Sequence, residues 1–104
     1  MIDSRPILIA EDDVGMREGL SRSLRREGFT VTLAADGLQA LDRLRERNYR
    51  MVITDLEMPQ VKGIEVLREV KKQSPAVPVV VITAYGSIGT AVEAMKEGAF
   101  DFLT

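Results

Sequence analysis

The stretch VITDLEMPQVKG, residues 52–63, changes from β-branched apolar residues to an acidic loop within a few positions. Its apolar beginning favours a buried strand, whereas Asp55, Pro59 and Gly63 favour a turn directly after that strand. Two interpretations of Asp55 follow: it starts the turn, or its carboxylate takes part in chemistry at the strand end. The choice depends on what the rest of the chain brings to the same place.

The rest of the chain alternates between two kinds of apolar pattern. Short apolar runs occur at residues 7–10, 31–34, 51–54 and 79–83, with a shorter fifth run at 100–103. Between these runs, apolar residues recur with helical spacing in four sets: Met16, Leu20, Leu24; Leu38, Leu41, Leu44; Ile64, Leu67, Val70; Ile88, Val92, Met95. The order βαβαβαβαβ predicts a doubly wound α/β fold, with a five-stranded parallel sheet and helices on both faces.

Residues typical of helix ends support these helices. Asp36 followed by Gln39 resembles a capping box, and Ser87 stands where an N-cap of the fourth helix is expected. Gly28 and Gly98 stand just past two helix ends. The chain is predicted to be one domain, residues 1–104, that stops before a fifth helix, so we expect a longer parent protein.

Composition excludes several kinds of function. With 104 residues, 45% apolar and 29% charged, the chain can form one domain with its own core. A formal charge of −2 does not support direct nucleic-acid binding. Cysteine and histidine are absent, which excludes disulfides, thiolate or histidine metal ligands and histidine acid–base catalysis. No apolar run approaches the roughly 18 residues of a membrane helix, and the beginning MIDSRP does not resemble a secretory signal, so we expect a cytoplasmic protein without a membrane partner.

Polar side chains collect at the ends of three predicted strands. Glu11, Asp12 and Asp13 follow the first strand, Asp55 ends the third, and Thr83 ends the fourth. Ligands of open parallel sheets bind beyond the carboxyl ends of the strands. If the first, third and fourth strands are neighbours, the carboxylates of Glu11, Asp12 and Asp55 and the hydroxyl of Thr83 meet in one pocket.

Such a pocket suits a hard divalent cation. Mg²⁺ prefers oxygen ligands and uses only one or two protein carboxylates, and Mn²⁺ can take its place. A carboxylate beside this cation can act as a nucleophile toward phosphorus and form an aspartyl phosphate. The donor set therefore predicts a Mg²⁺ site and phosphoryl chemistry at Asp55.

Each residue also has a simpler explanation. Asp13 fits the N-cap of the first helix better than a metal ligand, because helical spacing begins directly after it. The Glu57 side chain fits a solvated loop position, Thr83 is ordinary at a strand end, and Asp55 alone favours a turn. Together, however, unpaired carboxylates at one sheet edge add no stability, which favours the chemical interpretation.

The chain resembles the receiver domains of two-component response regulators in four segments: ILIAEDD, VITDLEMPQVKG, VVVITAYGS and EGAFDFL. The resemblance covers essentially the whole chain in order and spacing. Residues 83–104 are most similar to receivers of NtrC-type enhancer-binding transcriptional activators. The resemblance implies a flavodoxin-like sheet with strand order 2-1-3-4-5.

The resemblance also implies roles for the metal and phosphoryl sites. Asp55 matches the phospho-acceptor. Glu11 and Asp12 match the acidic pair that binds Mg²⁺ together with Asp55, with Glu in place of the commoner Asp at the first position. The backbone carbonyl of Glu57 matches a further metal ligand. Thr83 matches the switch hydroxyl that contacts the phosphoryl group.

Four further positions take roles from the resemblance. The Ala84 backbone amide matches a donor to the phosphoryl group, and Phe102 matches the switch aromatic on the fifth strand. Tyr85, like Glu57, lies at a position that tunes the lifetime of the phosphoryl group. The family places a phosphate-binding lysine directly after Thr104, where this chain stops, so we expect weaker phosphorylation than in a longer chain.

The function implied is that of a signalling receiver rather than an enzyme. A sensor histidine kinase would donate a phosphoryl group to Asp55, and helix four and Phe102 would then shift between two arrangements. Output would come from domains outside this chain, an ATPase and a DNA-binding module, and self-association as a dimer is a further expectation. The alternatives are a Mg²⁺-dependent phosphohydrolase of the haloacid-dehalogenase type, which would need Asp where Glu57 stands, and a phosphorylation-independent interaction module.

Overall fold

The computed structural model describes residues 3–83 and 88–103. Within these ranges five strands and four helices alternate: β1 (Ile7–Ala10), α1 (Val14–Arg26), β2 (Val31–Ala34), α2 (Gly37–Glu46), β3 (Met51–Asp55), α3 (Gly63–Gln73), β4 (Val79–Ile82), α4 (Ile88–Lys96) and β5 (Asp101–Leu103). The strands form one sheet in the order β2-β1-β3-β4-β5, and every pairing is parallel. The predicted fold class and strand order are confirmed.

The strand ends differ from the predicted runs by one residue. β3 continues to Asp55, because this residue still pairs with Ile82 of β4. β4 ends at Ile82 rather than Thr83, and β5 begins at Asp101 rather than Phe100. Both excluded residues nevertheless bond across to the neighbouring strand, since Thr83 N–H donates to Leu103 and Phe100 N–H donates to Val79. Such shifts are within the normal uncertainty of element ends.

The sheet is covered on both faces, and each face has its own core. On one face, β1, β3 and β4 pack against α2, α3 and α4 through a cluster that includes Leu8, Val52, Leu67 and Val79. On the other face, Ile7, Ile9, Ile53 and Ile82 form a second cluster, against which Leu20 and Leu24 of α1 pack. The central strands are buried on both faces, as their apolar sequences predict.

The helix caps follow the predictions where the structure describes them. Asp13 caps α1 by accepting from Met16 N–H at 2.8 Å, and Asp36 caps α2 by accepting from Gln39 N–H at 2.7 Å. The Gln39 side chain reaches back to Ala35 N–H at 2.9 Å, one residue before the N-cap. The predicted cap Ser87 lies outside the described residues.

Helical spacing predicted the helices but not always the side that faces the core. Met16, Leu38, Val92 and Met95 belong to the apolar sets, yet each is exposed. Among the α4 side chains that the structure describes, the buried ones are small, those of Ala91 and Ala94. None of the helices in the described part of the chain is long and apolar enough to span a membrane.

Candidate metal and phosphoryl site

Three carboxylates meet at the carboxyl ends of β1 and β3. Glu11 and Asp12 directly follow β1, and Asp55 is the last residue of β3. One carboxylate oxygen from each lies within 4.8 Å of the others. This is the cluster that the sequence predicted, and it forms because β1 and β3 are adjacent parallel strands whose last residues end at the same edge.

Burial differs among the three carboxylates. Glu11 is 1% exposed and Asp55 is 6% exposed, whereas Asp12 is open to solvent. Glu11 Oε2 accepts a hydrogen bond from Asp13 N–H at 3.2 Å, which fixes its side chain beside the loop. Two buried carboxylates, those of Glu11 and Asp55, are thus joined by that of Asp12, which a ligand can reach from outside.

The pKa of Glu11 is raised to about 8, from an ordinary value of 4.5, and burial is the largest cause. A hydrogen bond with the Asp55 carboxyl and the negative charge of Asp55 also contribute to the rise, while the Asp13 N–H opposes it. Glu11 therefore holds a proton at neutral pH when no cation is bound. A cation at this place would replace that proton.

The loop after β3 fixes the Asp55 carboxylate. Asp55 Oδ1 accepts a hydrogen bond from Glu57 N–H at 3.0 Å. On the backbone side, the hydroxyl of the buried Thr54 donates to the Asp55 carbonyl oxygen at 3.0 Å. The turn interpretation of Asp55 and the chemical one are thus compatible, because the same side chain closes the turn and faces Glu11 and Asp12.

Gly63 lets the loop return closely to the strand that carries Asp55. Its N–H donates to the Leu56 carbonyl oxygen at 3.1 Å. A Cβ at Gly63 would clash with the Asp55 carbonyl oxygen and would lie 2.7 Å from the Leu56 Cα. Gly63 is not among the residues with positive φ, so close backbone contact, rather than an unusual backbone angle, is the reason for glycine here.

The middle of this loop is held by a tight turn. Gln60 has φ of 67°, a left-handed conformation that costs a non-glycine residue free energy. Around it, Val61 N–H donates to the Pro59 carbonyl oxygen at 2.8 Å. Val61 in turn packs on Gly37 at the start of α2, where a Cβ would clash with the Val61 carbonyl oxygen. The loop is therefore clamped between the starts of two helices.

The Thr83 hydroxyl donates toward β5 and not to one of the clustered carboxylates. The Thr83 side chain is buried, and its hydroxyl donates to the Leu103 carbonyl oxygen of β5 at 3.3 Å. The Thr83 backbone N–H donates to the same oxygen at 2.8 Å. The predicted switch hydroxyl is thus bonded toward the edge strand.

The remaining predicted residues have mixed outcomes. The Glu57 side chain is exposed, as expected, with Lys62 Nζ 3.4 Å from its carboxylate, and its backbone carbonyl stays a predicted ligand. Phe102 lies on β5 and is 40% exposed. Ala84 and Tyr85 lie outside the described residues, so their roles stay predictions.

The residues present fit a hard divalent cation. All three clustered side chains offer carboxylate oxygens, the donors that Mg²⁺ and Mn²⁺ accept. Burial and the neighbouring Asp55 raise the pKa of Glu11, so positive charge at this place would favour the ionised carboxylate. A bound cation would supply this charge.

Sequence reasoning missed three residues that hold the site: Thr54, Gly37 and Arg17. Arg17 Nη1 donates to the Glu11 carbonyl oxygen at 2.8 Å. The sequence could have indicated this role of Arg17, because a cation near a helix N-terminus opposes the helix dipole and needs a compensating acceptor. Thr54 and Gly37 gave no comparable signal.

Comparisons with known proteins agree on one family. A family model described as the response regulator receiver domain matches residues 7–104. The transcriptional regulatory protein ZraR of Klebsiella oxytoca is 45% identical over 97 residues, which are 93% of this chain and 22% of that protein. The transcriptional regulatory protein FixJ of Bradyrhizobium diazoefficiens is 41% identical over 97 residues, 93% of this chain and 47% of that protein.

Solved structures give the same result. The receiver domain of NtrX from Brucella abortus superposes with a TM-score of 0.88 at 37% identity, over 93% of this chain and 82% of that one. The chain spans about a fifth of ZraR and about half of FixJ.

Proposed function

The chain belongs to the response regulator receiver domain family, and from this membership we propose that Asp55 is its phospho-acceptor. The observation that carries the proposal is the meeting of Glu11, Asp12 and Asp55 within 4.8 Å, with Asp55 oriented by the Glu57 N–H. The chain is a receiver of two-component signalling and resembles most the receivers of NtrC-type activators, as its sequence predicted.

In the proposed reaction, Asp55 attacks the phosphorus atom of a phosphorylated donor. Because Oδ1 is held by the Glu57 N–H, we assign Oδ2 as the attacking atom. A bond forms between this oxygen and phosphorus, the bond between phosphorus and the donor breaks, and the donor keeps the electron pair. One phosphoryl group is thereby transferred per chain, without a catalytic cycle on a second substrate.

The cation site is proposed for Mg²⁺. Asp12, which solvent reaches, would bind the cation directly, with Glu11, Asp55 and the Glu57 backbone carbonyl completing the protein ligands. When bound, the cation supplies positive charge to the carboxylates and to the phosphoryl oxygens. Glu11 must lose its proton to take part, so cation binding releases a proton over the range in which Glu11 is protonated.

Thr83 offers a route from Asp55 to the edge strand. Its hydroxyl bonds to Leu103 at 3.3 Å, a longer contact than the 2.8 Å backbone bond to the same oxygen. We propose that the hydroxyl exchanges this partner for a phosphoryl oxygen, beside the Ala84 amide. Of the two hydrogen bonds between Thr83 and Leu103, only the backbone one would then remain. Phe102, next to Leu103 on β5, would change its arrangement as a result.

The wider role is proposed from the relatives. Proteins described as transcriptional regulatory proteins contain a similar segment as a minor part of their length. We propose a sensor histidine kinase as the donor, and ATPase and DNA-binding modules as outputs elsewhere in the parent protein. We also propose that the exposed apolar residues of α4 and β5 favour self-association; sedimentation of a monomer at every concentration would contradict this.

The experiment that tests the acceptor is intact-mass spectrometry after incubation with acetyl phosphate and Mg²⁺. We expect one added phosphate per chain, lost when EDTA replaces Mg²⁺ and absent from Asp55→Asn. Phosphate on Asp55→Asn at the wild-type level would refute the assignment. Sustained turnover of a phosphomonoester would instead support the phosphohydrolase alternative, to which the comparisons give no support.

A further inference from the structure

Arg17 contacts the backbone of Glu11 and Asp12, the two members of the carboxylate cluster that follow β1. It lies in the second half of the first turn of α1 and is half-buried. Its Nη1 donates to the Glu11 carbonyl oxygen at 2.8 Å and lies 3.5 Å from the Asp12 carbonyl oxygen. The second distance is at the limit for a hydrogen bond, so the contact with Glu11 is the principal one.

The position of Arg17 is electrostatically unfavourable without this contact. The N-terminal turn of a helix carries partial positive charge, which repels a cation. In the described part of the chain, Arg17 forms no ion pair with any carboxylate; its guanidinium bonds to backbone oxygens instead. A charged donor on a neutral carbonyl is a strong hydrogen bond and favours one backbone arrangement.

That arrangement determines where the acidic side chains point. Glu11 N–H donates to Ala34 of β2 at 3.1 Å, so the strand side of Glu11 is fixed by the sheet. The Glu11 carbonyl lies beyond the last paired residues of β1, Ala10 with Ala34 and Thr54, and Arg17 holds it there. Asp12, the exposed member of the cluster, follows directly and has no sheet partner of its own.

We propose that Arg17 is a positioning residue of the cation site. It fixes the peptide groups of Glu11 and Asp12 so that both carboxylates face Asp55, and it does so without touching the cation. The inference rests on the proposed cation site and extends it to a residue outside the carboxylate cluster. Removing a group that orients a metal ligand typically weakens metal binding about 10-fold or more.

The test compares Arg17→Met with Arg22→Met. Both changes remove one positive charge from α1 and keep an apolar stem. Arg22 is exposed, and its side chain has no hydrogen bond or ion pair with the residues that the structure describes. Mg²⁺ affinity is measured by titration while the backbone amide resonances of residues near Asp55 are followed, and stability is measured by urea unfolding in EDTA.

We expect about tenfold weaker Mg²⁺ binding for Arg17→Met, affinity within about twofold of wild type for Arg22→Met, and similar unfolding midpoints for both in EDTA. Arg17→Lys, which keeps a charged donor, should recover part of the affinity. Equal Mg²⁺ affinity in Arg17→Met and wild type would overturn the inference, as would equal losses in both variants, which would indicate a general effect of charge.

The acceptor proposal fails separately from this inference. If wild type itself binds no Mg²⁺, the proposed site is wrong and the role of Arg17 fails with it. If wild type binds Mg²⁺ and accepts phosphate from acetyl phosphate, the comparison of the two arginine variants decides whether Arg17 positions the cation site. Should Arg17→Met not fold, Arg17→Lys measured against Arg22→Lys decides in the same way, with weaker binding expected only for the former.

Discussion

Two strand–loop–helix units carry the residues proposed for signalling, and they are anchored very differently. β3 and α3 carry Asp55 and bury large side chains, among them Val66, Leu67 and Val70. β4 and α4 lead into and out of the segment that begins with Thr83, and among the α4 side chains that the structure describes only Ala91 and Ala94 are buried. Both strands are buried, so the difference lies in the helices: α3 packs through large side chains, and the described buried side chains of α4 are small.

The difference suits the two roles. A phospho-acceptor must keep its carboxylate in place against two neighbouring carboxylates, so a clamped loop and a deeply packed helix are favourable. An element that responds to phosphorylation needs two arrangements of similar free energy, which small contacts permit. An ion pair between Arg68 and Glu97 at 2.9 Å ties the end of the α4 region to α3, but both side chains are largely exposed, so it adds little.

The largest expected contrast is between two glycines near helix starts. Gly63→Ala places a Cβ against the backbone of Asp55 and Leu56, so we expect it to destabilise the fold by about 3 kcal/mol or more. At Gly89 a Cβ meets no described atom within 4 Å, so Gly89→Ala should stabilise α4 by about 0.5 kcal/mol. Urea unfolding measures the free energy of unfolding of both variants. Equal changes in this free energy for Gly63→Ala and Gly89→Ala would remove the contrast between the units.

A second pair of variants uses the same chemical change on α3 and α4. Val66 is fully buried and Val92 is 47% exposed. Val66→Ala should lower the free energy of unfolding by about 2 kcal/mol, whereas Val92→Ala should change it by less than about 0.5 kcal/mol. A cost at Val92 as large as that at Val66 would mean that α4 is packed as firmly as α3.

A smaller effect concerns the proton that the acidic cluster holds. The pKa of Glu11 is about 8 in the folded chain and 4.5 ordinarily, so the folded state binds more protons between these values. The free energy of unfolding in EDTA should therefore fall as pH rises through this window. The steepness of this fall corresponds to a difference of at most roughly one bound proton between the folded and unfolded states. Glu11→Gln should lack this contribution, and saturating Mg²⁺ should reduce it in wild type. Equal slopes for wild type and Glu11→Gln in EDTA would contradict the raised pKa.

The sequence predicted the elements and the acidic cluster of these units, but not the difference in packing between α3 and α4. Alternating apolar runs were enough for the order of strands and helices along the chain, and acidic residues after the first and third runs were enough for the cluster of Glu11, Asp12 and Asp55. The strand order within the sheet came from the resemblance to receiver domains. The side of α4 that packs was not predictable from spacing, because the alanine and valine positions both recur helically. The distance between α4 and the sheet decides that small residues pack between them.

The details that hold the site also depend on tertiary distances. Gly63 was expected only as part of a turn, whereas close contact with the Asp55 backbone is what requires glycine there. The direction of the Thr83 hydroxyl depends on a rotamer and on where β5 ends. Neither can be obtained from residue types along one chain, since both depend on how separate elements approach each other.

Native-state hydrogen exchange tests the division between the two units most directly. Because exchange follows local opening, backbone amides of α3 at Val66, Leu67 and Val70 should exchange only through nearly global unfolding. Amides of α4 at Ala94 and Met95 should exchange faster, through an opening that leaves β3 and α3 intact. Protection of α4 equal to that of α3, in the free chain without Mg²⁺ or phosphodonor, would contradict the account.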